Sequence, residues 1–82
     1  MTQTPANTLE PLTVDARGLS CPLPVLRLNK ALKSLPAGAE VILLATDPAA
    51  LKDVPAYCRA HGYSAAQAAE GDFFKFRIRK IA

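Results

Sequence analysis

The residue of this sequence best suited to chemistry is Cys21, which stands where a predicted strand ends and a predicted helix begins. A thiol at the N-cap of a helix is exposed to the positive end of the helix dipole, which favours the thiolate and lowers the pKa of the thiol. Gly18 permits a tight turn before the cysteine, and Pro22 and Pro24 pre-set the backbone of the first helical turn. The prolines also remove amide N–H groups, so no oxyanion hole is expected. We therefore expect an exposed, moderately activated nucleophile that does not perform acyl transfer.

An alternative interpretation makes Cys21 a small buried hydrophobic residue, as most lone cysteines are. It is disfavoured because Cys21 precedes the apolar stripe of the helix and has polar neighbours. Cys58 does lie on the apolar stripe of the second predicted helix, so we expect a core residue there, with a resolving thiol for Cys21 as the rival role. His61, the single histidine, precedes the helix-ending Gly62 and fits capping better than catalysis. Two cysteines and one histidine cannot form an ordinary four-ligand zinc site, and neither metal nor cofactor is expected.

Six elements must position Cys21, and their patterns give the order β-α-β-α-β-β. Apolar residues alternate in the strands and recur at spacings of three and four in the helices. The expected segments are Leu12–Asp15, Pro22–Leu35, Glu40–Thr46, Val54–His61, Ser64–Glu70 and Phe73–Ile81. The second helix is expected to restart near Val54 after a short first turn, because Pro55 would clash with the Leu51 carbonyl. Right-handed crossovers then predict a two-layer α/β sandwich, with both helices on one face of a four-stranded mixed sheet.

Length and composition restrict the class of protein. The chain has 82 residues, half of them hydrophobic, which suits one small domain. No apolar run approaches the roughly 18 to 20 residues that span a bilayer. We expect a flexible leader over residues 1–11 and a single domain over residues 12–82. The N-terminus has neither the basic nor the apolar region of a signal peptide, so a cytoplasmic protein with reduced thiols is expected. We also expect a monomer.

The net charge of +3 is unevenly distributed, because all the surplus positive charge lies in residues 73–82. Lys75, Arg77 and Arg79 share the polar face of the last strand, while Arg27 and Lys30 lie on the polar side of the first helix. Solvated faces are the default interpretation of both sets. The functional alternative is docking of an acidic partner, and Arg27 and Lys30 could also hold an anionic form of the Cys21 sulfur. Direct nucleic-acid binding is not expected, because one aromatic residue on the strand face makes too small a stacking platform.

The segment around Cys21 resembles the signature motif of a known family, which is Cys-Pro-x-Pro after an Asp-x-x-Gly turn. The matching residues are Asp15, Gly18, Cys21, Pro22 and Pro24. With Asp47-Pro48, the Asp53-Val54-Pro55 stretch and the basic last strand, residues 12–81 resemble the TusA/SirA-like family of small sulfur carriers. The resemblance implies that Cys21 accepts sulfane sulfur as a persulfide from a cysteine desulfurase or rhodanese-like donor. An acceptor protein would then take the sulfur, and the carrier itself would do little catalysis.

The motif departs from one branch of the family at Leu23. The branch that serves tRNA thiolation resembles Cys-Pro-Glu-Pro, whereas an apolar residue stands beside the sulfur here. We expect Leu23 to be partly exposed and the acceptor to lie outside the tRNA relay, in molybdenum-cofactor maturation or general sulfur trafficking. Two rival functions stay open from sequence. One is a thiol redox switch at Cys21, and the other is an RNA or acidic-partner module that uses the basic last strand.

Overall fold

A computed structural model describes residues 11–81 of the protein. The six elements follow the predicted order, and their bounds differ from the expected ones by at most two residues except at the second helix. They are β1 (Leu12–Ala16), α1 (Leu23–Lys33), β2 (Glu40–Ala45), α2 (Ala50–His61), β3 (Ser64–Glu70) and β4 (Phe73–Arg79). All of the predicted leader except Pro11 lies outside the described residues.

The strands form one four-stranded sheet in the order β1-β2-β4-β3. β1 pairs with β2 in parallel, and β4 pairs antiparallel with both β2 and β3. The hairpin expected at Gly71-Asp72 therefore joins β3 to β4, and Gly71 takes a φ of 60° there. The central position predicted for β2 from its continuous apolar run is confirmed, because β2 has a neighbour on each side.

Both helices cover the same face of the sheet, so the predicted two-layer α/β sandwich is confirmed. Alternate strand residues point toward the helices and form the core with two rows of helix residues. The core residues include Val41, Leu43, Phe76 and Ile78 from the sheet and Leu28, Leu32, Val54 and Cys58 from the helices. Cys58 is 1% exposed, which confirms its expected core position. Within residues 11–81, neither helix has the length and hydropathy needed to cross a membrane.

The restart expected near Val54 is wrong, because α2 runs without interruption from Ala50 to His61 with Pro55 inside it. Pro55 does lack the N–H that would bond to the carbonyl four residues earlier. Ala50, Val54 and Cys58, however, are all buried at successive spacings of four. Their packing spans the missing bond, and the burial of this stripe outweighs the loss of one hydrogen bond.

Lys80 closes the C-terminal end of α1, although the sequence places it in the basic tail of the chain. Its Nζ donates hydrogen bonds to the carbonyl oxygens of Leu32 at 2.6 Å and Leu35 at 2.8 Å. The last carbonyls of a helix have no partner within the helix, and a cation is favoured at that end by the dipole. The residue after β4 therefore fixes the first helix to the sheet.

Replacing Lys80 with methionine should destabilise the protein, because the Leu32 carbonyl in the last turn of α1 and the Leu35 carbonyl just after the helix lose a charged donor. We expect the free energy of unfolding to fall by about 1.5 to 3 kcal/mol, the usual range for hydrogen bonds to a charged group. Urea unfolding followed by circular dichroism measures the change. Arg77→Met is the matched control, because Arg77 lies exposed on the other face of the sheet. Equal stability of the two variants would contradict the capping role.

Candidate functional site

The turn that leads to Cys21 is held to the end of β2. Gly18 has a φ of 82°, a conformation that side-chain-bearing residues rarely adopt, so the expected need for glycine is confirmed. The Gly18 N–H donates to Oγ1 of Thr46 at 2.9 Å, and the Leu19 N–H donates to the Ala16 carbonyl at 3.2 Å. The turn between β1 and α1 is thus fixed both locally and by a neighbouring loop.

Asp15 acts within this turn through Arg17. Its carboxylate accepts hydrogen bonds from the Arg17 backbone N–H at 3.1 Å, from Nε at 2.9 Å and from Nη2 at 3.0 Å. These bonds lower the pKa of Asp15 to about 2. The guanidinium also lies 5.2 Å from the centre of the Phe73 ring. Asp15 therefore holds Arg17 on the sheet face that carries no helix.

Cys21 lies one residue before the N-cap, so its expected N-cap position is wrong by one. Pro22 is the N-cap, the helix begins at Leu23, and the Cys21–Pro22 peptide bond is cis. A hydrogen bond of 2.9 Å from the Leu23 N–H to the Ser20 carbonyl forms the turn before the helix. Pro24 is buried in the first helical turn, where its missing N–H removes no helical bond.

Asp47 anchors the backbone of Cys21. Its Oδ2 accepts a hydrogen bond from the Cys21 N–H at 2.9 Å, and its Oδ1 accepts one from the Ala49 N–H at 3.0 Å. Both bonds favour the carboxylate and lower the pKa of Asp47. One side chain thereby joins the loop after β1 to the loop after β2.

The thiol of Cys21 is half-buried against the core rather than exposed as expected. Its pKa is raised to about 11, first by burial, then by a hydrogen bond with Asp53 and by the negative charges of Asp47 and Asp53. The prediction of a lowered pKa is therefore wrong for the isolated protein. Burial and two carboxylates outweigh the dipole of a helix that begins two residues later.

The sequence did not identify Asp47 and Asp53 as site residues, although they belong to the Asp47-Pro48 and Asp53-Val54-Pro55 stretches. The local pattern explains Asp47 as a cap, and Asp47 does cap the turn before α2 through its bond to the Ala49 N–H. Its second oxygen reaches a residue 26 positions earlier. Only the pairing of β1 with β2 brings these segments together.

Beside the Cys21 loop, an open groove of about 860 Å³ runs between α1 and the edge strand β1. We call it the α1 groove. Its lining residues are the apolar Val14, Leu23, Leu26 and Ala31 and the polar Arg27, Lys30, Lys33 and Ser34. Leu23 is 45% exposed, which confirms the expected partial exposure, and Leu26 is 54% exposed. The structure thus gathers three predicted site residues, Leu23, Arg27 and Lys30, on one surface.

The basic residues of β4 lie on a different surface. Lys75, Arg77 and Arg79 occupy the helix-free face of the sheet, so they are separated from the α1 groove by the sheet itself. Lys75 pairs with Glu70 at 3.7 Å, and Arg79 pairs with Glu40 at 3.1 Å. The predicted partner-binding residues therefore form two surfaces, and the strand surface is partly neutralised by its own carboxylates.

His61 and Cys58 take no part in the arrangement around Cys21. The ring centroid of His61 lies 4.2 Å from that of Tyr57 and 5.6 Å from that of Tyr63. The helix end is capped by Gly62, whose N–H donates to the carbonyls of Arg59 and Cys58 and whose φ is 73°. The histidine packs against aromatic rings at the end of α2.

Comparison with known proteins identifies the family. The family model "Sulfurtransferase TusA" matches residues 12–80. The sulfur carrier protein TusA of Pseudomonas syringae pv. syringae is 44% identical over 78 residues, covering 88% of this chain and 92% of that protein. The sulfur carrier protein TusA of Allochromatium vinosum is 40% identical over 68 residues, covering 82% of this chain and 90% of that protein.

A solved structure supports the fold in the same way. The crystal structure of a SirA-like protein from Desulfitobacterium hafniense superposes with a TM-score of 0.78 at 27% identity. The match covers 87% of this chain and 99% of that chain. Together with the geometry of the Cys21 loop, these matches confirm the resemblance drawn from the motif, and the chain belongs to the TusA family of sulfur carrier proteins.

Proposed function

We propose that this protein carries sulfane sulfur as a persulfide on Cys21 and passes it to an acceptor protein in a sulfur relay. The main support for this proposal is the position of Cys21. Cys21 is partly exposed and lies two residues before Leu23 of the α1 groove, whereas Cys58 is buried in the core. Hydrogen bonds to Asp47 and Thr46 connect the loop around it to the loop after β2.

The transfer step needs no oxidant or reductant. The sulfur of Cys21 attacks the outer sulfur of a donor persulfide, a new S–S bond forms on Cys21, and the S–S bond of the donor breaks. The inner sulfur of the donor persulfide is the leaving group. It departs as a thiolate and takes up the proton that Cys21 loses. The acceptor step is the same reaction in the opposite sense. The chain supplies a positioned sulfur atom, and its partners supply the activating groups, so it is a carrier rather than a self-sufficient catalyst.

The α1 groove is the surface we assign to these partners. Sulfur transfer requires the partner sulfur to touch Cys21, and Leu23 in the groove is only two residues away. Burying the exposed Leu23 side chain would contribute up to about 1.5 to 3 kcal/mol. Arg27 and Lys30 would attract acidic residues that flank an apolar segment of the partner. The presentation residues Asp15, Gly18, Pro22 and Pro24 would keep the loop in the conformation that the partner meets.

The basic strand is the less suitable surface for the transfer contact. Lys75, Arg77 and Arg79 lie on the opposite side of the sheet, so a partner bound to them leaves the α1 groove open. They would serve an additional acidic partner. The form of the redox-switch alternative that pairs Cys21 with Cys58 loses support for a different reason, because Cys58 is 1% exposed.

The class of sulfur donor and the pathway are also part of this proposal. We assign the donor to the cysteine desulfurase or rhodanese-like class, and the pathway to molybdenum-cofactor maturation or general sulfur trafficking rather than tRNA thiolation. The basis is Leu23, an apolar residue that is 45% exposed beside the thiol. The cytoplasmic location and the monomeric state expected from the sequence stay predictions.

Cys21 alone should accept sulfur. After incubation with a cysteine desulfurase and cysteine, intact-mass spectrometry should show a gain of one sulfur atom for the wild type and for Cys58→Ser. Cys21→Ser should show none, because the remaining thiol is buried. A gain that persists in Cys21→Ser and disappears in Cys58→Ser would contradict the assignment.

Reversing the charges of the α1 groove should slow loading. We expect Arg27→Glu with Lys30→Glu to lower the second-order rate of persulfide transfer several-fold at low salt, because charge steering acts on the association rate. The difference should shrink as salt is raised. Mass spectrometry of samples quenched at successive times measures the rate. Arg77→Glu on the helix-free face of the sheet is the matched control. An equal effect of Arg77→Glu would move the docking surface to the strand.

The residue at position 23 should influence the pathway. In a strain that lacks its own tRNA-thiolation carrier, we expect Leu23→Glu to restore 2-thiouridine better than the wild-type chain. A carboxylate there favours a cationic partner site, whereas leucine favours an apolar one. Liquid chromatography of tRNA nucleosides measures the recovery, with Leu26→Glu as a control on the same groove. Equal recovery by wild type and Leu23→Glu would show that position 23 does not select the pathway.

A further inference from the structure

β3 is an edge strand that is exposed on both of its faces. It lies outside β4 in the sheet order β1-β2-β4-β3, and all seven of its residues are exposed. Gln67 pairs with the core residue Phe76, so it points to the helix side of the sheet, yet α2 does not bury it. Within residues 11–81 no strand pairs with the outer edge of β3. The backbone groups of that edge are therefore available to another strand.

The composition of β3 does not protect this edge. Exposed edge strands commonly carry lysine, proline or a bulge, each of which hinders pairing with a further strand. Four of the seven residues of β3 are alanine, and none is a cation or a proline. The pairing with β4 keeps one register from Ser64 to Glu70 without a bulge. Along most of the strand, only methyl groups stand beside the outer N–H and C=O groups.

The sequence of β3 is almost the same in both directions about Gln67. Ser-Ala-Ala-Gln-Ala-Ala-Glu reads Glu-Ala-Ala-Gln-Ala-Ala-Ser when it is reversed. If two such strands pair antiparallel about a two-fold axis at Gln67, alanine faces alanine and glutamine faces glutamine. The two amides can each donate and accept a hydrogen bond, and the two Glu70 carboxylates lie at opposite ends of the contact. A second copy of β3 is therefore self-complementary to the first.

The ends of this arrangement are complementary in charge. Glu70 of the second copy would face Ser64, which pairs with Arg79 of β4 on the helix-free face. Arg79 and that Glu70 would be two strand spacings apart, about 10 Å between Cα atoms, which their side chains can span over a serine. Both side chains are largely free of burial, at 59% and 49% exposure. Their ion pairs within one chain, with Glu40 and Lys75, lie at the surface and contribute little.

We propose that two copies of this chain associate through β3, antiparallel about Gln67, and join their four-stranded sheets into one continuous sheet. The contact would use seven residues of each copy, fewer than the roughly 20 to 30 a side of a stable interface, so the pair would form reversibly. The monomer expected from the sequence would predominate in dilute solution. Because β1 lies at the opposite edge of the sheet, both Cys21 loops and both α1 grooves would stay open at the far ends of the pair.

A cysteine on the two-fold axis tests this geometry directly. In a Cys21→Ser background, where the remaining Cys58 is buried, Gln67→Cys should form a disulfide between copies when a thiol oxidant is added. Position 67 would face itself at about 4.5 to 5.5 Å between Cα atoms, which suits a disulfide. Ala65→Cys is the matched control, because position 65 would lie four residues, about 13 Å, from the same position of the second copy. Non-reducing gel electrophoresis measures the linked dimer, and equal linking of the two variants would overturn the proposal.

Sedimentation velocity between about 10 μM and about 1 mM measures association of the unaltered chain. We expect the sedimentation coefficient to rise with concentration. Gln67→Lys places like charges opposite each other, so it should move association to several-fold higher concentrations. Thr13→Lys, at an exposed position of the opposite edge strand β1, is the matched control. A monomer over the whole range, or an equal effect of Thr13→Lys, would overturn the proposal.

A charge exchange tests the ends of the contact. Arg79→Glu and Glu70→Arg should each weaken association, and the double variant should recover it, because the exchanged charges attract again between copies. The exchange restores neither of the ion pairs within one chain, so recovery cannot come from the monomer. Circular dichroism shows that each variant is folded. A folded double variant that associates no better than the single variants would contradict the pairing of Arg79 with Glu70 of the second copy.

Discussion

The parallel pairing of β1 with β2 is the constraint on which the site depends. Parallel strands end at the same edge of a sheet, so the loop that carries Cys21 and the loop that carries Asp47 must meet there. The carboxylate of Asp47 uses both oxygens at that meeting point, one on each loop. Gly18 and Thr46 add a second connection between the same two loops. The position of the thiol is therefore set by the sheet, not by α1 alone.

The charges around Cys21 oppose the lowered thiol pKa that is expected for a cysteine just before a helix. The dipole of α1 favours a thiolate, but two prolines remove N–H groups near the sulfur and two carboxylates approach from the α2 side. Burial and the two carboxylates therefore oppose the effect of the helix dipole on the pKa of the Cys21 thiol.

Much of the fold follows from local patterns in the sequence. Alternation in β4, the apolar stripe of α1 and the turn at Gly71-Asp72 each involve residues close together in the chain, and each prediction is confirmed. Pro55 shows the limit, because its cost is local while the burial of Ala50, Val54 and Cys58 that offsets it is tertiary. The same limit applies to the site. Cys21 is recognisable from its motif, whereas the pKa of its thiol depends on side chains that the motif does not contain.

The position of β4 in the sheet has a consequence for synthesis on the ribosome. β4 is the last strand in residues 11–81, yet it lies between β2 and β3 and contributes the core residues Phe76 and Ile78. A nascent chain that has emerged only as far as β3 lacks the strand through which β2 and β3 are connected. The sheet, and with it the cap that Lys80 places on α1, closes after translation of this region is finished. Folding of residues 11–81 is therefore completed only when the last strand enters the sheet between two strands that were synthesised before it.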